Sequence, residues 1–380
     1  MKKTKTKIIQ FIHGLSMGGA EKLVYQYALL LNKEKFDVYV IAITNTHSVY
    51  DEKLAKHNIK VIYLNDRIDS IIPGPTILKK IIHVIVRVPY LKILIRRIQP
   101  DVIHTHLLLN NYLRKARVSK NIKIVHTIHS DAYRLFNSES LETRKEKRSL
   151  DILKKKYKLQ FISLNKEGLN AVNEIFHIND AVVINNGVEI EKLQHLQNAA
   201  FYKEKYHIDK DQFIVGHVGR LNEVKNQKFL LKVFWEIRKI RKNSVLWFIG
   251  DGPMKEQLKK EVDELGLASE VIFWGNQLKP EEYVRMMDIF IMPSIYEGVS
   301  LSMIECQIIG TPMLISQNIP DKAIISNLVS VKKLSETPYE WANEAINITE
   351  KPLIPIYENL EEWDIKNVVK KLEKIYCEDR

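Results

Sequence analysis

Glu297 and Glu305 lie eight positions apart in Ile-Met-Pro-Ser-Ile-Tyr-Glu-Gly-Val-Ser-Leu-Ser-Met-Ile-Glu (291–305). The stretch reads as an apolar strand, a glycine turn and the entry to a helix. Such a step aims free backbone N–H groups above the sheet, and those groups favour an anion. Here Gly298, Val299, Ser300 and Leu301 would supply them. Carboxylates flanking an anion site cannot serve to attract the anion, so they are read as acceptors for hydroxyl groups. The ligand implied joins phosphates to sugars. At about 1.5 Å per residue, Glu305 sits roughly 7 Å beyond a helix start at Ser300, where a ribose on the far phosphate would lie. Glu297, on the loop, would face the sugar side. A glycosidase pair is the sharper rival, but those carboxylates flank a sugar from opposite sides, and here both come from one loop and its helix. The plainer alternative is a helix with an N-terminal acid and an incidental glutamate.

Val218-Gly219-Arg220-Leu221-Asn222-Glu223-Val224-Lys225-Asn226 puts Arg220 and Lys225 in one loop between a strand and a helix. Two cations beside a helix N-terminus can neutralise a diphosphate, both bound and as a leaving group. Taken alone, the loop would read as solvated and basic. Gly14-Leu15-Ser16-Met17-Gly18-Gly19-Ala20-Glu21-Lys22 occupies the same position after the first strand. Its glycines allow close approach of a ligand, although it matches neither the dinucleotide fingerprint nor a Walker loop. An ordinary strand–helix turn would look the same.

His104-Thr105-His106 and His126-Thr127-Ile128-His129-Ser130-Asp131 end two neighbouring strands. Four histidines raise the question of a metal, but no carboxylate or cysteine has recognisable ligand spacing, so neither metal nor cofactor is expected. The preferred reading is a polar floor, with His129 nearest the substrate and His106 and Asp131 on the acceptor side. Asp209-Lys210-Asp211 precedes a strand instead of following one and reads as a solvated turn.

Alternating strands and helices must position these groups. Strands are predicted at 7–13, 38–42, 61–63, 102–104, 122–126, 160–164 and 181–184, then at 213–218, 244–249, 271–274, 289–292 and 312–315. Helices are predicted at 21–31, 76–98 and 140–155, then at 226–239, 254–265, 281–287 and 301–309. Continuous apolar strands separated by helices imply parallel sheets covered on both faces. The 380 residues exceed one core, and Asn185-Asn186-Gly187-Val188 reads as a hinge, followed by a polar, irregular stretch over 190–212. The expected fold is therefore α/β, with two Rossmann-like doubly wound domains. Domain one spans 1–185 and domain two 186–362, with a terminal helix within 363–380 packing back on the first. Ligands would sit at the strands' carboxyl ends, in a cleft between the domains.

The net charge of +12 is unevenly spread. Residues 1–180 hold 32 Lys+Arg against 16 Asp+Glu, a balance of +16, leaving 26 against 30 in the remainder, a balance of −4. The first half therefore suits anionic material. Nucleic acid is disfavoured, because stacking platforms and a reading motif are lacking. A peripheral contact with an anionic membrane is the other candidate. No acidic residue occurs between Ser70 and Pro100, and on a helical wheel Lys79, Lys80, His83 and Arg87 oppose Leu78, Ile81, Ile82, Ile85 and Val88. Pro89 should kink that helix, and its charges exclude a spanning segment. The expectation is a helix packed on the first sheet with cations left for lipid. The basic start, Met1–Lys7, reads as a solvated tail, since its following apolar run is too short for a signal peptide. Two cysteines, Cys306 and Cys377, make no pair, which fits a cytoplasmic setting.

Taken in order, Gly-Gly-Ala-Glu (18–21), His129, Asn-Gly-Val (186–188), Gly-Arg-Leu (219–221) with Lys-Asn (225–226), Gly-Asp-Gly-Pro (250–253) and Glu-Gly-x-Ser-x-x-x-x-Glu (297–305) cover nearly the whole chain. This set resembles the retaining glycosyltransferases of family 4, which use nucleotide-sugars and have two Rossmann domains (the GT-B type), above all those of bacterial exopolysaccharide and capsule synthesis. The resemblance implies transfer of a sugar, with retention, from a nucleotide diphosphate donor, expected to be a UDP-sugar, to a glycan or lipid-linked saccharide. It implies that Gly18 and Gly19 contact the donor diphosphate or admit the acceptor beside it, and that Arg220 and Lys225 hold the diphosphate. Glu305 would bind ribose, Glu297 the donor sugar, and His129 the sugar near its reacting carbon. Gly250 and the backbone around Trp274, Gly275 and Asn276 would line the donor site, the latter three at the base. Metal independence is implied as well. A nucleotide-sugar epimerase on the same fold and a non-catalytic subunit are the alternatives.

Overall fold

A computed structural model describes residues 5–69, 76–350 and 354–378. Seven parallel strands form the first sheet: β1 (Thr6–Ile12), β2 (Phe36–Ala42), β3 (Lys60–Tyr63), β4 (Val102–His106), β5 (Lys123–Ile128), β6 (Leu159–Ser163) and β7 (Val182–Val183). Their spatial order is β3-β2-β1-β4-β5-β6-β7. Six more form the second: β8 (Phe213–Val218), β9 (Ser244–Ile249), β10 (Val271–Gly275), β11 (Ile289–Met292), β12 (Met313–Ser316) and β13 (Val329–Lys332), in the order β10-β9-β8-β11-β12-β13. Both are Rossmann-like sheets. The strand order reverses between β1 and β4 in one and between β8 and β11 in the other, and ligands of such sheets bind where that reversal opens a crevice.

Parallel strands buried on both faces need apolar side chains throughout, and β9 and β11 are buried at every position. Phe11, Ile103, Ile124 and Phe161 sit in the first core, and Val215, Leu246, Phe248 and Leu314 in the second. One compact unit runs to Gly187 and resumes at Ile365; the other is Val188–Asp364. Helix Ile365–Cys377 thus belongs with the first sheet. Gly187 permits the return, because a Cβ there would stand 2.6 Å from the Ile365 backbone.

Several predicted details differ. The stretch 190–212 is not irregular: helices Ile190–Gln194 and Ala199–Lys205 occupy it, the second capped by Asn198. Edge strand β13 and helix Pro338–Thr349 were not anticipated, although Thr337 and Glu340 form the reciprocal capping box that marks such a helix start. Helix Thr76–Ile98 continues through Pro89, and it buries Leu91, Leu94, Ile95 and Ile98 while leaving Ile85 65% exposed. Arg87 is not left for lipid, since it donates to Asn65 Oδ1 at 2.8 Å. The expected start of that basic segment, the side chains of Leu78, Lys79, Lys80 and Ile81, and the tail Met1–Thr4 lie outside the described residues. No described helix is long and apolar enough to cross a membrane.

Candidate functional site

In the second unit the loops after β8, β9 and β11 are tied to one another by their backbones. Leu221 N donates to Asp251 O at 3.0 Å, Met254 N to Leu221 O at 3.1 Å and Ile295 N to Val224 O at 2.8 Å. Glycine makes this approach possible. Gly250 has φ +128°, and a Cβ there would fall 2.1 Å from Gly219 O. Gly252 is equally hemmed in, 2.3 Å from Leu221 O. Gly250 also donates to Gly275 O at 2.8 Å, which joins the β10 loop to the set. Glycines of the Gly-Asp-Gly-Pro motif therefore act as close-packing positions between loops.

Within this frame, Asn222 Oδ1 accepts from Lys225 N at 3.1 Å, and Asn226, in the left-handed region at φ +54°, donates to Pro293 O. Lys225 is thereby aimed at the β11 loop, where its Nζ lies 2.6 Å from Glu297 Oε1. Both side chains are largely covered, 14% and 11% exposed. Arg220 is exposed, and among the described residues its guanidinium has no ion pair. Helix Leu301–Ile309 starts at Ser300, whose side chain makes no capping bond and instead meets Ser302 Oγ at 3.0 Å. The first N–H groups of that helix thus keep no side-chain cap. Glu305 is half-buried on it, one turn beyond. Trp274 turns its ring against Trp247 and Tyr283, its carbonyl accepts from Gln277 Nε2 at 2.6 Å, and Asn276 is exposed.

In the first unit, β1 leads into Gly18, the N-cap of helix Gly19–Leu30. The Glu21 carboxylate folds over Gly18, so close that a Cβ would meet its oxygen at 2.3 Å. A carboxylate thus already stands at this helix start, which disfavours a second anion there. His106 does not face a ligand: it is fully buried, and its ring nitrogens engage His129 Nε2 at 3.0 Å and Gln10 Oε1 at 2.8 Å. His129 is partly exposed at the end of β5. Asp131 is exposed and caps helix Ala132–Phe136 through Arg134 N. Burial holds the four histidines neutral: His126 is lowered to about 3, His129 to about 4, and His104 and His106 fall well below the usual range. Among the described residues no group of three or more His, Cys, Asp or Glu converges as a metal site.

Residues 17–192 match the model of Glycosyltransferase Family 4, and residues 198–350 match that of Glycosyl transferases group 1. The chain belongs to the glycosyltransferases. EpsF of Bacillus subtilis, named as a glycosyltransferase, is 36% identical over 159 residues, so the match spans 41% of each protein. A galactosyltransferase of Escherichia coli, named for moving galactose from UDP-Gal to GlcNAc-diphosphoundecaprenol, is 24% identical over 99% of this chain and 97% of its own. The crystal structure of HepE from Anabaena with UDP and glucose has the same fold, with a TM-score of 0.75 at 16% identity over 98% of this chain and all of that one. The fold is GT-B.

Two supporting groups in this glycosyltransferase escaped the sequence reading. His217 is fully buried beneath the Lys225 loop, donates through Nδ1 to Ile291 O at 2.9 Å and meets Gln227 Nε2 at 3.3 Å. Burial lowers it to about 4, so it braces β8 against β11 as a neutral ring. A lone histidine in an otherwise apolar strand was the available signal. Gln227 also holds Arg220 O at 3.0 Å, fixing the backbone of the cationic loop.

Proposed function

We propose that this glycosyltransferase moves a hexosyl group, with retention, from a UDP-sugar to a glycan or lipid-linked saccharide in bacterial polysaccharide or capsule synthesis. The observation that carries the reading is the Lys225–Glu297 pair at 2.6 Å. It sets a phosphate-binding cation beside a hydroxyl-accepting carboxylate, the two neighbours that a sugar–phosphate junction requires. Arg220 and the N–H groups of Gly298 to Ser302 complete the anion side. Glu305 is assigned to the ribose, and the backbone at Trp274, Gly275 and Asn276 to the base. His129 is assigned to the donor sugar. The Gly18–Gly19 loop, with Glu21 over it, is assigned to the acceptor and not to the diphosphate.

As the bond from the anomeric carbon to the phosphate oxygen breaks, its electron pair passes to the diphosphate. Arg220, Lys225 and the helix start stabilise the charge that develops. The acceptor oxygen bonds to the same face of the carbon, and its proton passes to the departing phosphate oxygen. No metal ion is assigned a part, so a chelator should leave turnover unchanged. The relative that uses a diphosphoundecaprenol acceptor and the +16 balance of residues 1–180 support an acceptor at an anionic membrane.

The test is incubation with a panel of UDP-sugars, with and without bacterial lipid extract. Free UDP that appears only when acceptor is present supports transfer. An epimerised sugar without acceptor, or no UDP under any condition, contradicts it.

A further inference from the structure

Gln10, His104, His106 and Thr127 lie on one face of the three central strands β1, β4 and β5. All four are essentially buried, at 0–2% exposure. Valine or isoleucine would fill this face without the desolvation that polar groups suffer, so the polar set needs another explanation. Tyr376, from a helix that closes over the sheet, completes the set and is itself 1% exposed.

The contacts run in single file. His129 Nε2 meets His106 Nδ1 at 3.0 Å, and His106 Nε2 meets Gln10 Oε1 at 2.8 Å. Gln10 Nε2 donates to Tyr376 Oη at 2.9 Å, and Tyr376 Oη meets His104 Nδ1 at 2.6 Å. His104 Nε2 ends the file on Thr127 Oγ1 at 2.7 Å. Every histidine is held neutral by burial, so each ring has one donor nitrogen and one acceptor nitrogen. Held with its nitrogen on Tyr376 Oη and its oxygen on His106, the Gln10 amide sets the sense of the whole file. In that orientation its oxygen receives a proton from His106 Nε2, which leaves His106 Nδ1 to accept from His129.

We infer that this buried file, with Gln10 and Tyr376 as positioning residues, locks His129 with its proton on Nε2 and leaves Nδ1 as a bare acceptor. Nδ1 has no partner among the described residues. On the reading that His129 meets the donor sugar, the ring can then accept from a sugar hydroxyl but cannot donate to an ether or carbonyl oxygen. The C-terminal helix thereby acts on the reacting end of β5 through Gln10, which lies 366 positions from Tyr376 in the sequence. A hydrogen-bonded partner behind an active imidazole is how one tautomer is chosen over the other.

The test is long-range ¹H–¹⁵N NMR of the full chain labelled in histidine, with His129 assigned through His129→Gln. A single Nε2–H pattern for His129 is expected in the wild type. Tyr376→Phe, which keeps the ring and removes the hydroxyl, should convert it to a mixture of tautomers while His217 in the other unit keeps its pattern. Turnover of that variant should fall about ten-fold at unchanged KM for donor, a modest share of what a positioned proton-transfer group contributes. An Nδ1–H or mixed pattern in the wild type overturns the inference, and so does a Tyr376→Phe spectrum identical to it. The wild-type spectrum decides the matter even if the variant does not fold. It is independent of whether His129 touches a sugar, so failure of the proposed function would appear separately, as a normal tautomer with no UDP release.

Discussion

The two units wind their sheets alike and treat polarity in opposite ways. In the first, the polar groups lie inside and are mutually hydrogen-bonded: Gln10, His104, His106 and Thr127 on one face of the sheet, and Thr105, Asn110, His126 and Glu146 on the other. In the second, Arg220, Lys225 and Glu297 sit on loops at the strand ends, charged, above a core whose polar members at the switch point are His217 and Gln227. The difference separates two tasks. Buried neutral networks hold a group in one state, whereas loop charges can be exchanged for those of a ligand. Only the second kind suits an anionic leaving group.

The largest expected effect breaks the second half of this contrast. Lys225→Ala or Arg220→Ala should lower kcat/KM for UDP release by about 10²-fold or more, the usual consequence of losing one preorganised charge donor. Near-normal turnover would remove the phosphate role from that residue.

Glu146 sharpens the first half. It is 1% exposed, accepts from Asn110 N, Asn110 Nδ2 and Asn111 N, and burial nonetheless pushes its carboxyl up to about 7. A folded-state value above the unfolded one gives stability that is complete below the unfolded value near 4.5 and lost as pH rises towards 7. Glu146→Gln cannot ionise, so its stability relative to wild type should climb across that window by up to about 3 kcal/mol and level off above it. Paired urea melts from pH 4 to 8 read this directly, and a flat difference would show that Glu146 keeps its ordinary acidity. Gly250→Ala comes next. With φ +128° and a Cβ 2.1 Å from Gly219 O, it should destabilise the second unit by about 2 kcal/mol and weaken UDP binding without touching any charge. A melting temperature equal to wild type would show that the loops do not need that contact.

The smallest effect concerns the surface of the first unit. Lys92, Arg96 and Arg117 border a cavity of about 450 Å³ at the amino ends of β4 and β5, floored by Ile95, Ala116, Val118 and Ile122. Neutralising one of them, as in Arg96→Gln, should reduce flotation with anionic vesicles at low salt several-fold, at about 1 kcal/mol per cation near the surface. Flotation unchanged by that substitution would place any membrane contact elsewhere.

Much of this was legible in the chain because parallel strands announce themselves as short apolar runs, and because each ligand loop follows a strand directly. Strands β8, β9 and β11 begin and end at their predicted residues. The loop chemistry of Arg220, Lys225 and Glu297 follows from residue type alone. Partnership at long range does not. Nothing in the spacing shows that Lys225 would meet Glu297, that Arg87 would be consumed by Asn65, or that Tyr376 would reach Gln10 and His104. Those pairings arise when sheet order brings distant strand ends together, and a periodic pattern carries no record of sheet order. The Glu21 carboxylate beside Gly18 is a further case, since a glycine-rich helix start does not show how close an acid of its first turn folds to it.

The most direct measurement is a calorimetric titration of the intact protein with UDP. The account predicts binding at about micromolar strength, near −8 kcal/mol, weakened at least ten-fold by Lys225→Ala and by Arg220→Ala but not by Tyr376→Phe. Wild-type protein that binds no nucleoside diphosphate, or variants that bind UDP as tightly as wild type, would contradict it.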